Sequence, residues 1–162
     1  MMKKWTGILF ALALVAGCTT APTSPSGPMI GTEVRLTTVE PAPADYDAFT
    51  FFWTSPASER FETQVTSVLV LPDGTEQVWI GDIVMSAGQS VRSDVSEGGD
   101  SVVADPRLFR NKNMTVIFRS KNGRMRFPAK DRFSFSFHKA DADGKINWRH
   151  PYKDIEATVS VK

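Results

Sequence analysis

The chain has 162 residues, with 19 basic and 18 acidic side chains, a net charge of +1 and a single cysteine. One cysteine excludes an internal disulfide framework, so the fold must rest on a buried core, which a chain of this length can supply. No Gly-rich phosphate loop, HExxH pair or paired-cysteine spacing occurs, so no phosphate-binding or zinc class is recognisable in the sequence.

At the N-terminus, Lys3 and Lys4 precede the apolar run Ile8 to Gly17. That run is about half the roughly 20 residues a helix needs to cross a bilayer. A charged start, a short apolar stretch and small residues at its end read as a secretory signal. Val15-Ala16-Gly17-Cys18 resembles the lipobox of bacterial lipoproteins. The resemblance covers the first 18 residues. It implies that residues 1–17 are removed and that the Cys18 thiol carries a diacylglycerol, with several acyl chains in all. Several chains give stable membrane attachment where one does not. In that family an aspartate after the cysteine signals retention in the inner membrane. Thr19 stands here instead, which implies the outer membrane of a Gram-negative cell, facing the periplasm. No cofactor is expected beyond the covalent lipid, and nucleic acid is not an expected partner in that compartment.

Residues 18–32 comprise the cysteine and a Pro-, Ser- and Thr-rich stretch with little to bury, which reads as a linker. Fourteen extended residues reach at most roughly 45–50 Å. Residues 33–162 follow as one domain, patterned with period two. Val34 and Leu36, then Phe49, Phe51 and Trp53, alternate with other residues. Strands are also predicted over 65–71, 78–85, 114–118, 133–137 and 155–161. Phe133, Phe135 and Phe137 against Ser134, Ser136 and His138 is the cleanest separation of a buried from a wet face. Residues 105–112 could form one short helical turn. Pro72-Asp73-Gly74, Asn122-Gly123 and Asp143-Gly144 are turn signals. The expected fold is an all-β antiparallel sandwich of about seven to nine strands, Ig-like or transthyretin-like, with a small barrel as the alternative. Trp53, Trp79 and Trp148 fit core packing better than a sugar-stacking set.

The charge is strongly divided. Residues 19–106 carry three basic and thirteen acidic side chains (−10), and residues 107–162 carry fourteen basic and five acidic ones (+9). Either the halves pair and cancel, or one face awaits an anionic partner. A two-residue turn at Asn122-Gly123 would place Lys121 opposite Arg124 and Arg119 opposite Arg126, all on one face. Directly opposed like charges destabilise a sheet by up to about 1 kcal/mol per pair. Arg119, Lys121, Arg124 and Arg126 are therefore the candidate partner-binding residues, unless neighbouring carboxylates neutralise them.

The catalytic reading is weak. His138 shares a strand face with Ser134 and Ser136, and His150 stands apart. Neither spacing places a hydroxyl on an imidazole with an orienting carboxylate. Asp141 and Asp143 match two positions of a calcium loop aligned on Gly144. Lys139 and His150 occupy two others that need oxygen ligands, so Asp141 and Asp143 are at most a weak calcium candidate. The sequence thus predicts a non-enzymatic, membrane-anchored binding or assembly factor for an envelope complex such as a secretion apparatus, pilus or outer-membrane machine. Its partners would be the membrane and another envelope protein. The alternative is a module that binds glycan or lipopolysaccharide, or another anionic lipid, through the basic hairpin and an aromatic such as Trp148.

Overall fold

The structure is a computed structural model. It describes residues 29–56, 62–103, 105–123, 125–127 and 131–162, with the backbone alone for residues 29, 30 and 125–127. Ten strands occur among them: β1 (Met29–Gly31), β2 (Glu33–Thr38), β3 (Ala48–Thr54), β4 (Glu62–Val70), β5 (Glu76–Ser86), β6 (Ser90–Val95), β7 (Thr115–Ser120), β8 (Met125–Phe127), β9 (Arg132–His138) and β10 (Lys153–Val161). Residues Pro106–Phe109 form a 3-10 turn, with Asp105 capping its N-terminus and proline at its first position.

Eight strands make one antiparallel sheet in the order β5-β4-β7-β2-β10-β9-β3-β6. The expected all-β antiparallel architecture is what forms. The sheet is single and curls into a nearly closed barrel-like shape. Strand β10 makes the bend: Lys153 to Glu156 pair with β9, and Ala157 to Val161 pair with β2. β1 and β8 pair separately, Ile30 opposite Arg126. Met29–Gly31 thus fall in a strand, although their composition reads as linker.

Period-two patterning builds the core. Phe49, Phe51 and Trp53 on β3 and Phe133, Phe135 and Phe137 on β9 point inward and are buried. They meet Phe118 from β7 and Trp79 from β5 across the interior. Trp53 stacks on Phe118 with ring centroids 4.8 Å apart, and Phe51 lies 5.5 Å from Trp79. Each such aromatic pair contributes about 0.5–1.5 kcal/mol beyond its area burial. Trp148 departs from expectation: it sits half-buried in the loop between β9 and β10, outside any strand. No helix among the described residues is long and apolar enough to cross a membrane.

Register fixes the two ends of the barrel. Val161 lies opposite Val34, and the Lys162 backbone bonds to Thr32 and Glu33, so β1, Lys162 and the Ser120 end of β7 share one end. The β9–β10 loop lies at the other, before Lys153. Nine residues of strand separate these ends by about 27 Å.

Candidate functional site

Arg119 and Lys121 sit at the β1 end. β7 does not pair with β8. Its neighbours are β2 and β4, so Arg119 lies opposite Glu33 on one side and Thr66 on the other. The two-residue hairpin and its opposed cations therefore do not form, because the interior positions of β7 are already matched on both sides. Arg119 donates from Nε to Glu33 at 3.3 Å, and its Nη2 lies 2.8 Å from Glu76. These carboxylates hold the guanidinium pKa above its ordinary value, Glu76 foremost. Lys121 pairs with Asp82, which also accepts from Thr66 at 2.9 Å. Those two hydrogen bonds hold the Asp82 carboxyl below the usual carboxylate range. For these two cations, neighbouring acidic strands supply the neutralising charge.

The same holds widely. Of the twelve ion pairs among the described residues, nine join a basic residue after position 106 to an acidic one before it. The division of charge along the sequence is thus partly cancelled in space, through six of the fourteen basic residues after position 106. Arg126 has its backbone on β8, and Arg124 and Cys18 lie outside the described residues. Trp148 and Arg119 fall at opposite ends of β10, so the fold does not bring the basic strand and that aromatic together.

His138 ends β9 and is buried, 1% exposed. Its ring belongs to a polar network that alternation alone would have left on a wet face. Asp94, Thr50, Ser136 and Asp154 form one cross-strand row on the outer side of β6, β3, β9 and β10. Thr50 donates to Asp94 at 2.8 Å and lies 3.0 Å from His138 Nε2. Ser136 donates to Asp154 at 2.5 Å. His138 Nδ1 is 3.1 Å from the Asn147 carbonyl, which can only accept, so Nδ1 carries a hydrogen. Trp148 meets the ring edge-on at 5.0 Å. The β9–β10 loop thus lies over the face and dries it. Burial pushes the His138 pKa below its ordinary value, against the upward pull of the Asn147 carbonyl and Asp94. Thr50 is itself fully buried, so this row of hydroxyl, imidazole and carboxylate holds the loop to the sheet and presents no accessible nucleophile. His150 is exposed and takes no part in this network.

The weak calcium candidate resolves into a turn. Asp141 Oδ1 accepts from the Asp143 and Lys145 amides, both at 2.9 Å, and Gly144 takes positive φ. Among the described residues no three His, Cys, Asp or Glu side chains gather to hold a metal. A half-open cleft of about 390 Å³ lies beside this turn, between Asp47, Ser96, Glu97, Arg107 and Ile146. No local signal in the sequence announces it, since its walls come from three connections far apart along the chain, β2–β3, β6–β7 and β9–β10. Compared with known proteins, the chain matches no family model, no curated protein and no solved structure.

Proposed function

We propose that the protein is a lipid-anchored envelope protein, attached through Cys18 to the periplasmic face of the outer membrane. There it serves as a non-enzymatic binding or assembly factor for an envelope complex. One observation carries the reading: Lys3-Lys4, a short apolar run and Val15-Ala16-Gly17-Cys18, followed by a Pro- and Ser-rich stretch that leads directly into β1. The ten residues between Cys18 and Met29 span at most roughly 33–36 Å. The lipid sets the location, the tether sets the reach, and the domain makes the contact.

The test has two parts. Metabolic labelling with a palmitate analogue is expected to mark the wild type and not Cys18→Ser, with the variant leaving the membrane fraction. In-cell cross-linking of the tagged wild type is expected to capture one envelope protein in stoichiometric yield, lost in Cys18→Ser. Absence of label would overturn the anchor. Capture of cell-wall polymer or lipid with no protein would overturn the assembly role.

A further inference from the structure

We infer that the open seam between β5 and β6 receives an extended segment of a partner protein, which pairs with the free edges of both strands. The inference rests on the binding-factor reading above and names the surface that carries it. β5 and β6 are consecutive and joined by residues 87–89, yet they stand at opposite edges of the sheet and do not pair. Gln89 holds them apart. Its amide donates to the Ser86 carbonyl at 3.2 Å, but its own carbonyl accepts from the Ser55 amide at 3.0 Å. The Ser86 amide takes the Gln89 side-chain Oε1 instead, at 2.9 Å. In an antiparallel ladder, successive residues turn their backbone groups to opposite sides. With Gln89 bonded to Ser55, the register of β6 on β3 turns Val91, Ser93 and Val95 towards β3 and leaves Ser90, Arg92 and Asp94 facing the seam. On the other wall, the Lys121 amide bonds to the Gln64 carbonyl, so Thr63 and Val65 serve β5 and pair with Met85 and Ile83. Asp82 and Val84 therefore face the seam too. Zipping the hairpin onward from Ser86 and Gln89 would set Val84 opposite Val91, whose backbone groups are already engaged by β3. Asp82, Val84, Ser90, Arg92 and Asp94 are all exposed, and their seam-facing backbone groups have no backbone partner among the described residues.

The groups on offer select the occupant. Regularly spaced N–H donors and C=O acceptors on two facing strands are matched by one extended polypeptide, the geometry of strand addition. A folded second copy does not fit. Among the described strands β1, β5, β6 and β8 each have one free edge and the rest have none, so no strand of a copy is free on both sides. The charges beside the seam are answered, Arg92 by Asp94 at 2.9 Å and Asp82 by Lys121, which favours an uncharged segment. Val84 stands exposed on the outer face of β5 and offers a cross-strand neighbour to a β-branched or aromatic residue. Beneath the seam, Trp79 reaches from β5 to Phe51 and Phe49 on β3, the neighbour of β6. Its buried Nε1 has no acceptor among the described residues, so an inward serine or threonine suits the segment. The Gln77 side chain donates to the Val102 carbonyl at 3.4 Å and bounds the far end. The six residues of β6 set a paired length of about 20 Å.

The test places the photo-reactive residue benzoylphenylalanine in the full chain in its native cells, at Val84, at Arg92 or, as a control on the outer face of β10, at Glu156. The first two are expected to cross-link to one short stretch of a single protein, and Glu156 is not. A proline at an edge position removes an amide that the free fold leaves unpaired. Arg92→Pro is therefore expected to lower the Val84 cross-link roughly tenfold, the scale of one lost hydrogen bond, while Arg92→Ala, which keeps the amide, leaves it unchanged. A synthetic peptide of the cross-linked stretch, added to the purified full chain, is expected to slow amide exchange at Val84, Ser90, Arg92 and Asp94, a reading that needs no substitution and stands even where Arg92→Pro lowers the unfolding midpoint. Cross-links to a second copy, equal yield from Glu156, equal loss in Arg92→Ala, or unchanged exchange at these amides would each overturn the inference. Capture of an envelope protein by the tagged wild type without a cross-link from Val84 or Arg92 overturns this seam and leaves the binding role standing. Failure of acylation at Cys18 leaves the peptide result standing.

Discussion

The Ser67 hydroxyl lies 2.9 Å from the Ile80 amide nitrogen and 3.0 Å from the Gly81 carbonyl, so one buried side chain bonds both backbone groups that a bulge sets free. The β4–β5 register slips between Ser67 and Val68, and Gly81 takes φ +88° there. Glycine inside a strand commonly marks such a bulge. Serine accepts one hydrogen bond and donates the other. Ser67→Ala is therefore expected to cost about 1–3 kcal/mol, because an amide and a carbonyl lose their buried partner. Urea unfolding measures this; a cost no greater than that of an exposed Ser→Ala control would show that other groups serve the bulge.

Arg119 bridges carboxylates from two different strands, yet its side chain is two-fifths exposed. Exposed pairs are screened by water and salt. Arg119→Ala is expected to cost no more than about 1 kcal/mol, falling towards zero at high salt. Arg119→Glu should cost more, since it would sit against Glu33 and Glu76. Asp82 adds a pH dependence: its pKa is depressed by Lys121 and Thr66, so its contribution is present at neutral pH and lost as pH falls through the acid range. A thermal-melting series over pH and salt checks both, and a large salt-independent loss for Arg119→Ala would contradict the screened picture.

His138 gives a second pH signature. Burial favours the neutral ring, so the folded pKa lies below the ordinary value of 6.5. The unfolded chain therefore takes up a proton first. Stability is fully present above pH 6.5 and declines as pH falls below it. His138→Gln, which keeps a donor and an acceptor, is expected to flatten this slope, whereas His138→Ala should destabilise at every pH. Unfolding free energies measured from pH 7.5 downward decide it. An unchanged slope in His138→Gln would assign the dependence to other groups.

Gly31 closes β1 against the end of β10. An added Cβ would lie 2.2 Å from the Lys162 carbonyl oxygen and 2.5 Å from the Val161 side chain. A backbone oxygen cannot give way without losing its bonds to Thr32 and Glu33. Gly31→Ala is expected to speed amide exchange at Thr32 and Lys162 and to lower stability by about 1–3 kcal/mol, the range for single substitutions with a named steric cause. Exchange at Phe135 in the core should track only the global change. Unaltered exchange at Thr32 would mean that β1 is not seated on the end of β10.

How much was legible in the sequence follows from how local each feature is. Alternation named the inward faces of β2, β3 and β9 and placed strands at β4, β5, β7 and β10, because strand side chains switch faces at every residue whatever their neighbours. Turn chemistry found the Gly74 and Gly144 turns, both at positive φ. β6 escaped because Ser90 to Val95 is a polar strand at the sheet edge with little apolar signal. Strand partnership is non-local. Asn122-Gly123 suggested a hairpin, but β7 pairs with β2 and β4, and β8 pairs with β1. The neutralisation of Arg119 and Lys121 and the drying of Thr50 and His138 under the β9–β10 loop were decided by tertiary partnership alone. The lipobox-like run Val15 to Cys18 is the opposite case: that resemblance is short and contiguous, so it is read from the sequence alone, whereas the His138 network and the cleft are assembled from residues far apart along the chain.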